Sequence, residues 1–266
     1  MKTRVITAVI ALILFVPFVV IGGTPLAIVM GILSMVAMGE ILYMKNRKLV
    51  SVEALLSFLL VLFLTLPKDF REEYLPGINP VIFVYVIALG LLITTVFTRT
   101  KFNFDSAGAL VLAGIYIGFG FHYFTELRNS NVYLIILGLI VVWVTDSFAY
   151  ILGKAFGKHK MIPKVSPNKT WEGSFGGSLV GTIFGVAFVL LFKNQFPDTN
   201  IFLLILLIFL LTVLGQIGDL IESAFKRYYG VKDSGKILPG HGGILDRFDS
   251  LLVVMPIIFF LFEELQ

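Results

Sequence analysis

The sequence predicts an all-α integral membrane protein with about nine transmembrane helices, the N-terminus cytoplasmic and the C-terminus outside. Three observations predict it. Of 266 residues, 58% are hydrophobic and 14% charged, against roughly 25% charged in a soluble domain, and the mean hydropathy is +0.95. Apolar runs close to the roughly 20 residues that cross a hydrocarbon core recur along the whole chain. Seventeen of the 21 Lys+Arg fall in segments on one side of the membrane and four on the other.

The runs are Val5–Ile21, Pro25–Tyr43, Val52–Leu66, Val81–Phe97, Ala107–Phe121, Val132–Ile151, Gly173–Phe192, Ile201–Gly218 and Leu251–Phe262. The third and last are short, and the last is expected to begin earlier, inside DRFD. Lys2 and Arg4 before an apolar run also fit a signal peptide. No small-residue cleavage site follows Ile21 and further spans follow at once, so the first helix is read as retained. The outside segments hold Lys68, Arg71, Arg128 and Lys193. All other basic residues, including Arg99 and Lys101, then lie inside, with both long polar loops. The net charge of +4 needs no partner beyond an anionic leaflet. With no cysteine, disulfides, thiolate catalysis and Cys-ligated metals are excluded.

The chain reads as one polytopic membrane domain over residues 1–266. Residues 1–124 supply helices with little visible chemistry, and residues 125–266 the chemistry-bearing helices and cytoplasmic loops. Glu40, near the end of the second run, is expected to snorkel or to pair with Lys45 or Lys48. Lys68–Pro80 reads as an outer connector and His122 as interfacial. There is no Walker loop, no GxGxxG after a strand and no HExxH.

The polar residues of the second half carry the functional signal. Asp146 lies about 14 residues, or some 21 Å, into its helix. A carboxylate at mid-span costs on the order of 2.5–3.5 kcal/mol, so it faces a polar cavity, a cation or a partner on another helix. In the loop Gly153–Gly173, Ser166 before Pro167 reads as an N-cap with proline at the first helical position. Asn168, Lys169 and Thr170 would then offer donors at a helix N-terminus, a natural phosphate cradle. Gly173, Gly177, Gly181 and Gly185 fall on one helix face and suit close packing, within the chain or across a homodimer interface.

Asp219 opens the densest cluster. On a continuing helix, Glu222, Ser223, Lys226 and Arg227 lie near its face. Asp246 and Asp249, three apart, share another. Clustered carboxylates repel unless a cation sits between them, and hard oxygens favour Mg²⁺ or another hard cation. The alternative is a set of ion pairs with Lys226, Arg227 and Arg247. Gly240-His241-Gly242-Gly243 frees the backbone to bring N–H groups against a phosphate, with His241 as a further donor. A plain turn is the other reading.

The order S-x-x-K-R, K-D, H-G-G and D-R-x-D from Ser223 to Asp249 resembles the signature of the CTP:phosphatidate cytidylyltransferases, or CDP-diacylglycerol synthases. S-P-N-K-T-W-E-G at Ser166–Gly173 resembles the same family. The resemblance covers roughly Asp146 to Asp249. It implies transfer of CMP from CTP to phosphatidate, giving CDP-diacylglycerol and pyrophosphate, in the cell (inner) membrane with the active site facing the cytoplasm. It implies catalytic roles for Lys226, Arg227, Asp246 and Lys169. Substrate binding would fall to Ser223, Asn168, Ser166, His241, Gly242, Gly243, Arg247 and Asp146, and metal binding to Asp219, Asp246 and Asp249. The cofactor expected is Mg²⁺, with a second cation left open. The partners are CTP, phosphatidate and membrane lipids, with a homodimer left open and nucleic acid excluded. The Asp219–Asp249 block is expected to hold the metal and the nucleotide, while the Lys169 loop closes over the substrates.

Two other readings remain. A CTP-dependent polyprenol or phytol kinase would transfer phosphate instead of CMP. An ion-coupled transporter would use Asp146 and Asp219 as a coupling pair. The D-G-x2-A-R-x8-G-x3-D-x3-D pattern of CDP-alcohol phosphotransferases is absent.

Overall fold

The computed structural model describes residues 2–98 and 102–262. Arg99 and Lys101, counted above as cytoplasmic charges, lie outside the described residues. The elements in order are α1 (Lys2–Ile21), α2 (Gly23–Met44), α3 (Val52–Thr65), α4 (Lys68–Tyr74), α5 (Pro80–Phe97), α6 (Phe104–Ser130) and α7 (Val132–Phe156). There follow β1 (Lys160–Ile162), β2 (Ser166–Thr170), α8 (Trp171–Leu191), α9 (Ile201–Tyr228) and α10 (Leu245–Phe262). Among the described residues, six helices (α2 and α5 to α9) are long and apolar enough to cross a membrane, and the apolar stretches Val9–Ile21 and Val52–Thr65 are shorter. The protein is therefore a helical membrane protein. The final helix begins at Leu245, one residue ahead of DRFD and so earlier than the apolar run at Leu251, as that short ninth run requires.

The helix starts are written in side chains. Ser51, Asn79, Asn131, Thr170 and Asn200 each accept a bond from a backbone N–H of the first turn that would otherwise lack a partner. His122 is 7% exposed, with Nδ1 3.0 Å from the Leu66 carbonyl. Two local readings change. Lys68–Tyr74, read as connector, forms the short α4. Ser166 does not cap a helix. Ser166–Thr170 is a strand paired antiparallel with Lys160–Ile162, and the cap is Thr170, whose hydroxyl accepts from Gly173 N at 3.2 Å. Proline forces the preceding residue towards extended backbone, and a strand edge accommodates its missing N–H as readily as a helix start does. Glu172 in the first turn of α8 holds the hairpin there, accepting from His159 N at 3.2 Å and lying 2.6 Å from its Nδ1.

The chain forms two compact units: Met1–Glu126 with Val231–Arg247, and Leu127–Gly230 with Phe248–Gln266. In the first, Leu26, Met30, Met38 and Leu42 of α2 and Leu60 and Leu64 of α3 are buried. Gly114 and Gly118 of α6 let Leu60 and Leu64 approach its backbone. In the second, the glycine stripe of α8 packs within the chain. A methyl at Gly177 would lie 2.6 Å from the Thr145 carbonyl oxygen and 2.8 Å from Ala149 N of α7, and Gly173 meets Ala149 and Gly153 in the same way. Backbone cannot swing aside as a side-chain tip can. Gly177→Ala is accordingly expected to cost about 2 kcal/mol and several degrees of Tm in detergent. Gly108→Ala in α6, with nothing within 4 Å of the added methyl, is the control and is expected to be neutral or stabilising. Equal melting of the two variants would refute close α7–α8 packing at this glycine.

Candidate active site

The second unit gathers one set of the charged residues. Lys169, at the end of β2, points its ammonium at α9, 2.7 Å from Asp219 Oδ2 and 3.1 Å from the Gln216 carbonyl. Its side chain is 12% exposed and that of Asp219 35%. The Lys169 segment is thus part of the Asp219 cluster. The hairpin brings it there, because β2 runs straight into the capped start of α8, and Gln216 ties α8 to α9 beside it. Gln216 Nε2 donates to the Ser174 carbonyl at 3.1 Å and to Ser178 Oγ at 2.8 Å, and its Oε1 accepts from Ser174 Oγ at 2.6 Å. Two turns beyond Asp219 on α9, Lys226 forms an ion pair with Glu222, whose side chain is almost wholly buried. Arg227 Nε donates to the Val165 carbonyl in the hairpin turn at 3.2 Å. Ser223 is half-buried on α9, Ser166 half-buried and Asn168 exposed on β2, and Asp146 exposed on α7.

Asp146, Asp219 and Asp249 lie within reach of one another's charge, with Lys169 beside Asp146 and Lys226 beside Asp249. Gly218 allows this, since a methyl there would lie 2.7 Å from the Asp249 carbonyl oxygen and 2.9 Å from Ser250 Cα. Among the described residues, no three Asp, Glu, His or Cys side chains stand together as a ready-made metal cage. The donor set is hard carboxylate oxygen, which fits Mg²⁺. That ion is commonly bound by one or two carboxylates, with substrate phosphates and water completing its shell.

The first unit holds the other set. The segment Lys232–Gly242 curls into a cleft of about 430 Å³ lined by Lys232, Lys236, Arg247, His241 and Asp233. A tight turn from Leu238 to Gly242 builds it: Leu238 N donates to the Gly242 carbonyl at 3.0 Å and His241 N to the Leu238 carbonyl at 2.8 Å. Gly240 at φ 77 and Gly242 at φ 85 take backbone conformations that side chains resist. Arg247 grips the His241 carbonyl through Nε and Nη2 at 3.1 and 2.9 Å. Nδ1 of His241 is buried with no hydrogen-bond partner. A buried orphan nitrogen in a basic, glycine-built cleft suits an anionic ligand.

The glycine N–H groups do not all face that cleft. Gly243 N and Ser234 N each donate to Asp246 Oδ2 at 2.8 Å, and Ser234 Oγ stands 2.9 Å from the same oxygen. Asp246 therefore clamps the loop on itself. Glu40 corrects a further reading, since it neither snorkels nor pairs with lysine. It is 4% exposed and accepts from Ser234 Oγ at 2.9 Å, Ile244 N at 2.7 Å and Leu245 N at 3.0 Å. Sequence reasoning passed over Ser234 and Gln216, and noticed Glu40 without giving it a part in the site. The signal for Glu40 and Gln216 was a polar group inside an apolar helix; nothing local marked Ser234.

These features define a polytopic helical membrane protein with hard carboxylates, half-buried lysines and a glycine-built basic cleft, a combination suited to phosphate chemistry. The family model described as the Cytidylyltransferase family matches residues 2–265. Over 264 residues the chain is 46% identical to the phosphatidate cytidylyltransferase of Bacillus subtilis (strain 168), covering 98% of this chain and 97% of that one. It is 42% identical over 260 residues to the protein of that name from Staphylococcus haemolyticus (strain JCSC1435), with 97% of each chain covered. The Staphylococcus aureus (strain COL) protein gives 41% over 260 residues, again covering 97% of each. The chain belongs to the cytidylyltransferase family.

Proposed function

We propose that this protein transfers CMP from CTP to phosphatidate, giving CDP-diacylglycerol and pyrophosphate. The observation that carries the reading is likeness over nearly the whole chain to relatives named for that activity. A phosphate oxygen of phosphatidate forms a bond to the α-phosphorus of CTP. The bond from that phosphorus to the α,β-bridging oxygen breaks, and its electron pair leaves on pyrophosphate. The attacking oxygen is already anionic, so no protein nucleophile is required.

Charge neutralisation and positioning are what such a reaction asks of a protein. The triphosphate is assigned to the cleft of Lys232, Lys236, Arg247 and His241, with Gly242 in its wall. His241 Nδ1 supplies a donor if its tautomer carries the proton there. Lys169, Lys226 and Arg227 neutralise phosphate oxygens, and Ser223, Ser166 and Asn168 orient them. Asp219 and Asp249 are assigned to Mg²⁺, with Asp146 adding negative charge nearby. Asp246, whose Oδ2 is committed to the loop, is assigned first to holding the cleft. Bound Mg²⁺ would neutralise charge on the phosphate oxygens as it shifts to pyrophosphate. The diacyl chains remain in the bilayer.

Incubation of the purified protein with CTP, phosphatidate and Mg²⁺ should yield the liponucleotide and pyrophosphate, and chelation should stop it. Transfer of phosphate to an alcohol instead of CMP to phosphatidate would overturn the reading. We also assign nine spans, the N-terminus inside and the C-terminus outside, on the basic-residue asymmetry. The chain has no native cysteine, so single cysteines label cleanly. Lys158→Cys should label only from the cytoplasm and Asn129→Cys only from outside, and the reverse pattern would overturn the orientation.

A further inference from the structure

We infer that Glu40 is a positioning residue for the nucleotide, acting through the glycine-rich loop that it holds from α2. The choice of ligand rests on the cytidylyltransferase reading; the hold itself rests on geometry. A carboxylate that is 4% exposed on an apolar helix must have its acceptors filled. All three donors given to Glu40 come from one segment some 200 residues away in sequence. Oε1 takes Ile244 N at 2.7 Å, and Oε2 takes Leu245 N at 3.0 Å and Ser234 Oγ at 2.9 Å. Ile244 N and Leu245 N lie at the start of α10, where N–H groups lack partners within the helix. Glu40 therefore caps α10 from another element.

The same contacts close the cleft. Ser234 Oγ stands 2.9 Å from Asp246 Oδ2 as well, and Asp246 holds Ser234 N and Gly243 N. Both ends of the stretch Ser234–Gly243 are thus pinned, and between them lie Lys236 and His241 of the cleft wall. Gly235 and Gly243 leave room for the glutamate: a methyl at Gly235 would lie 2.7 Å from Glu40 Oε1, and one at Gly243 would overlap it. A helix–helix packing role would direct Glu40 at a neighbouring span. It is directed at the loop.

The test is Glu40→Gln in the full chain in detergent. An amide keeps the shape but turns a donor towards Ile244 N–H or towards Leu245 N–H and Ser234. The expected result is a rise of about tenfold in KM for CTP, the equivalent of one lost charge-assisted bond, with kcat and the KM for phosphatidate within about twofold. Trypsin should cut after Lys232 and Lys236 about tenfold faster, and after Lys154 and Lys158 at the wild-type rate. A uniform loss of kcat with unchanged KM for CTP, or unchanged cutting of the loop, would overturn the inference. If Glu40→Gln does not fold, Ser234→Ala, which spares both backbone bonds, should move both readouts the same way by about threefold. Wild-type values for that variant would equally overturn it. A wild-type protein that transfers no CMP would remove the functional reading alone, and proteolysis would still decide whether Glu40 holds the loop.

Discussion

Lys169→Met is expected to lower turnover by about a hundredfold or more, on the scale of removing one preorganised charge-stabilising donor. Methionine keeps the apolar length of the lysine stem, so the packing around a side chain that is 12% exposed changes little. The charge is lost. Asp219 Oδ2 then has no ammonium 2.7 Å away, while Asp146 and Asp249 still bear on it. Repulsion among the three grows where the proposed reaction brings still more negative charge. Lys169→Arg restores the charge but not the shape, because a planar guanidinium must replace a point donor already bonded to a carboxylate and a carbonyl. It should recover only part of the activity. The checks are kcat, both KM values and the Mg²⁺ dependence, with thermal melting to confirm folding. A folded Lys169→Met variant within about threefold of wild type would remove Lys169 from the reaction.

The pairing of Lys169 with Asp219 shows where sequence reasoning stops. Both residues were singled out from local pattern, but 50 positions separate them and no periodicity links them. The sequence therefore suggested two separate devices, a closing loop and a metal block. The fold joins Lys169 to Asp219, because β2 is a strand that carries Lys169 to α9. Ser166-Pro167 could not reveal this, since proline before a capped helix and proline at a strand edge satisfy the same local constraints. The distant contact of Glu172 with His159 accompanies the strand choice.

Other features were legible because one element fixes them. The apolar runs gave the helices through hydropathy alone. The four-residue glycine spacing gave the packed face of α8, and the short last run implied a helix start ahead of Leu251, inside DRFD; the helix starts one residue before that segment, at Leu245. Glu40 was visible as an anomaly, a carboxylate in an apolar helix, yet its partners are about 200 residues away and no local rule could name them. The cheap local explanation, a nearby lysine, was wrong because the backbone N–H groups at the start of α10 needed an acceptor. The HGG motif was read as a phosphate cradle from its freedom of backbone. That freedom is spent partly on carboxylates, and this leads to the second large effect.

Gly243→Ala is expected to lower kcat/KM for CTP by about a hundredfold or more, the sum of an overpacking cost and at least one lost charge-assisted bond. The position requires glycine for space rather than for an unusual dihedral angle, because Gly243 is not among the positive-φ residues. A methyl there would overlap Oε1 and Cδ of Glu40 and Oγ of Ser234. None of the three can yield cheaply. Glu40 holds Ile244 N and Leu245 N, and Ser234 joins Glu40 to Asp246. Moving Gly243 away instead breaks its own 2.8 Å bond to Asp246 Oδ2. Every relaxation therefore opens the clamp that shapes the cleft. Gly230→Ala is the counter-case. Gly230 has φ 67 but nothing within 4 Å of an added methyl, so alanine there pays only the left-handed backbone cost of about 1–2 kcal/mol. Its kcat/KM should stay within about twofold of wild type once folding is confirmed. Steady-state kinetics on both variants at saturating phosphatidate decide the matter. If Gly243→Ala retains wild-type kcat/KM for CTP, the carboxylate clamp does not shape the nucleotide site, and the glycines of this motif must then serve the turn alone.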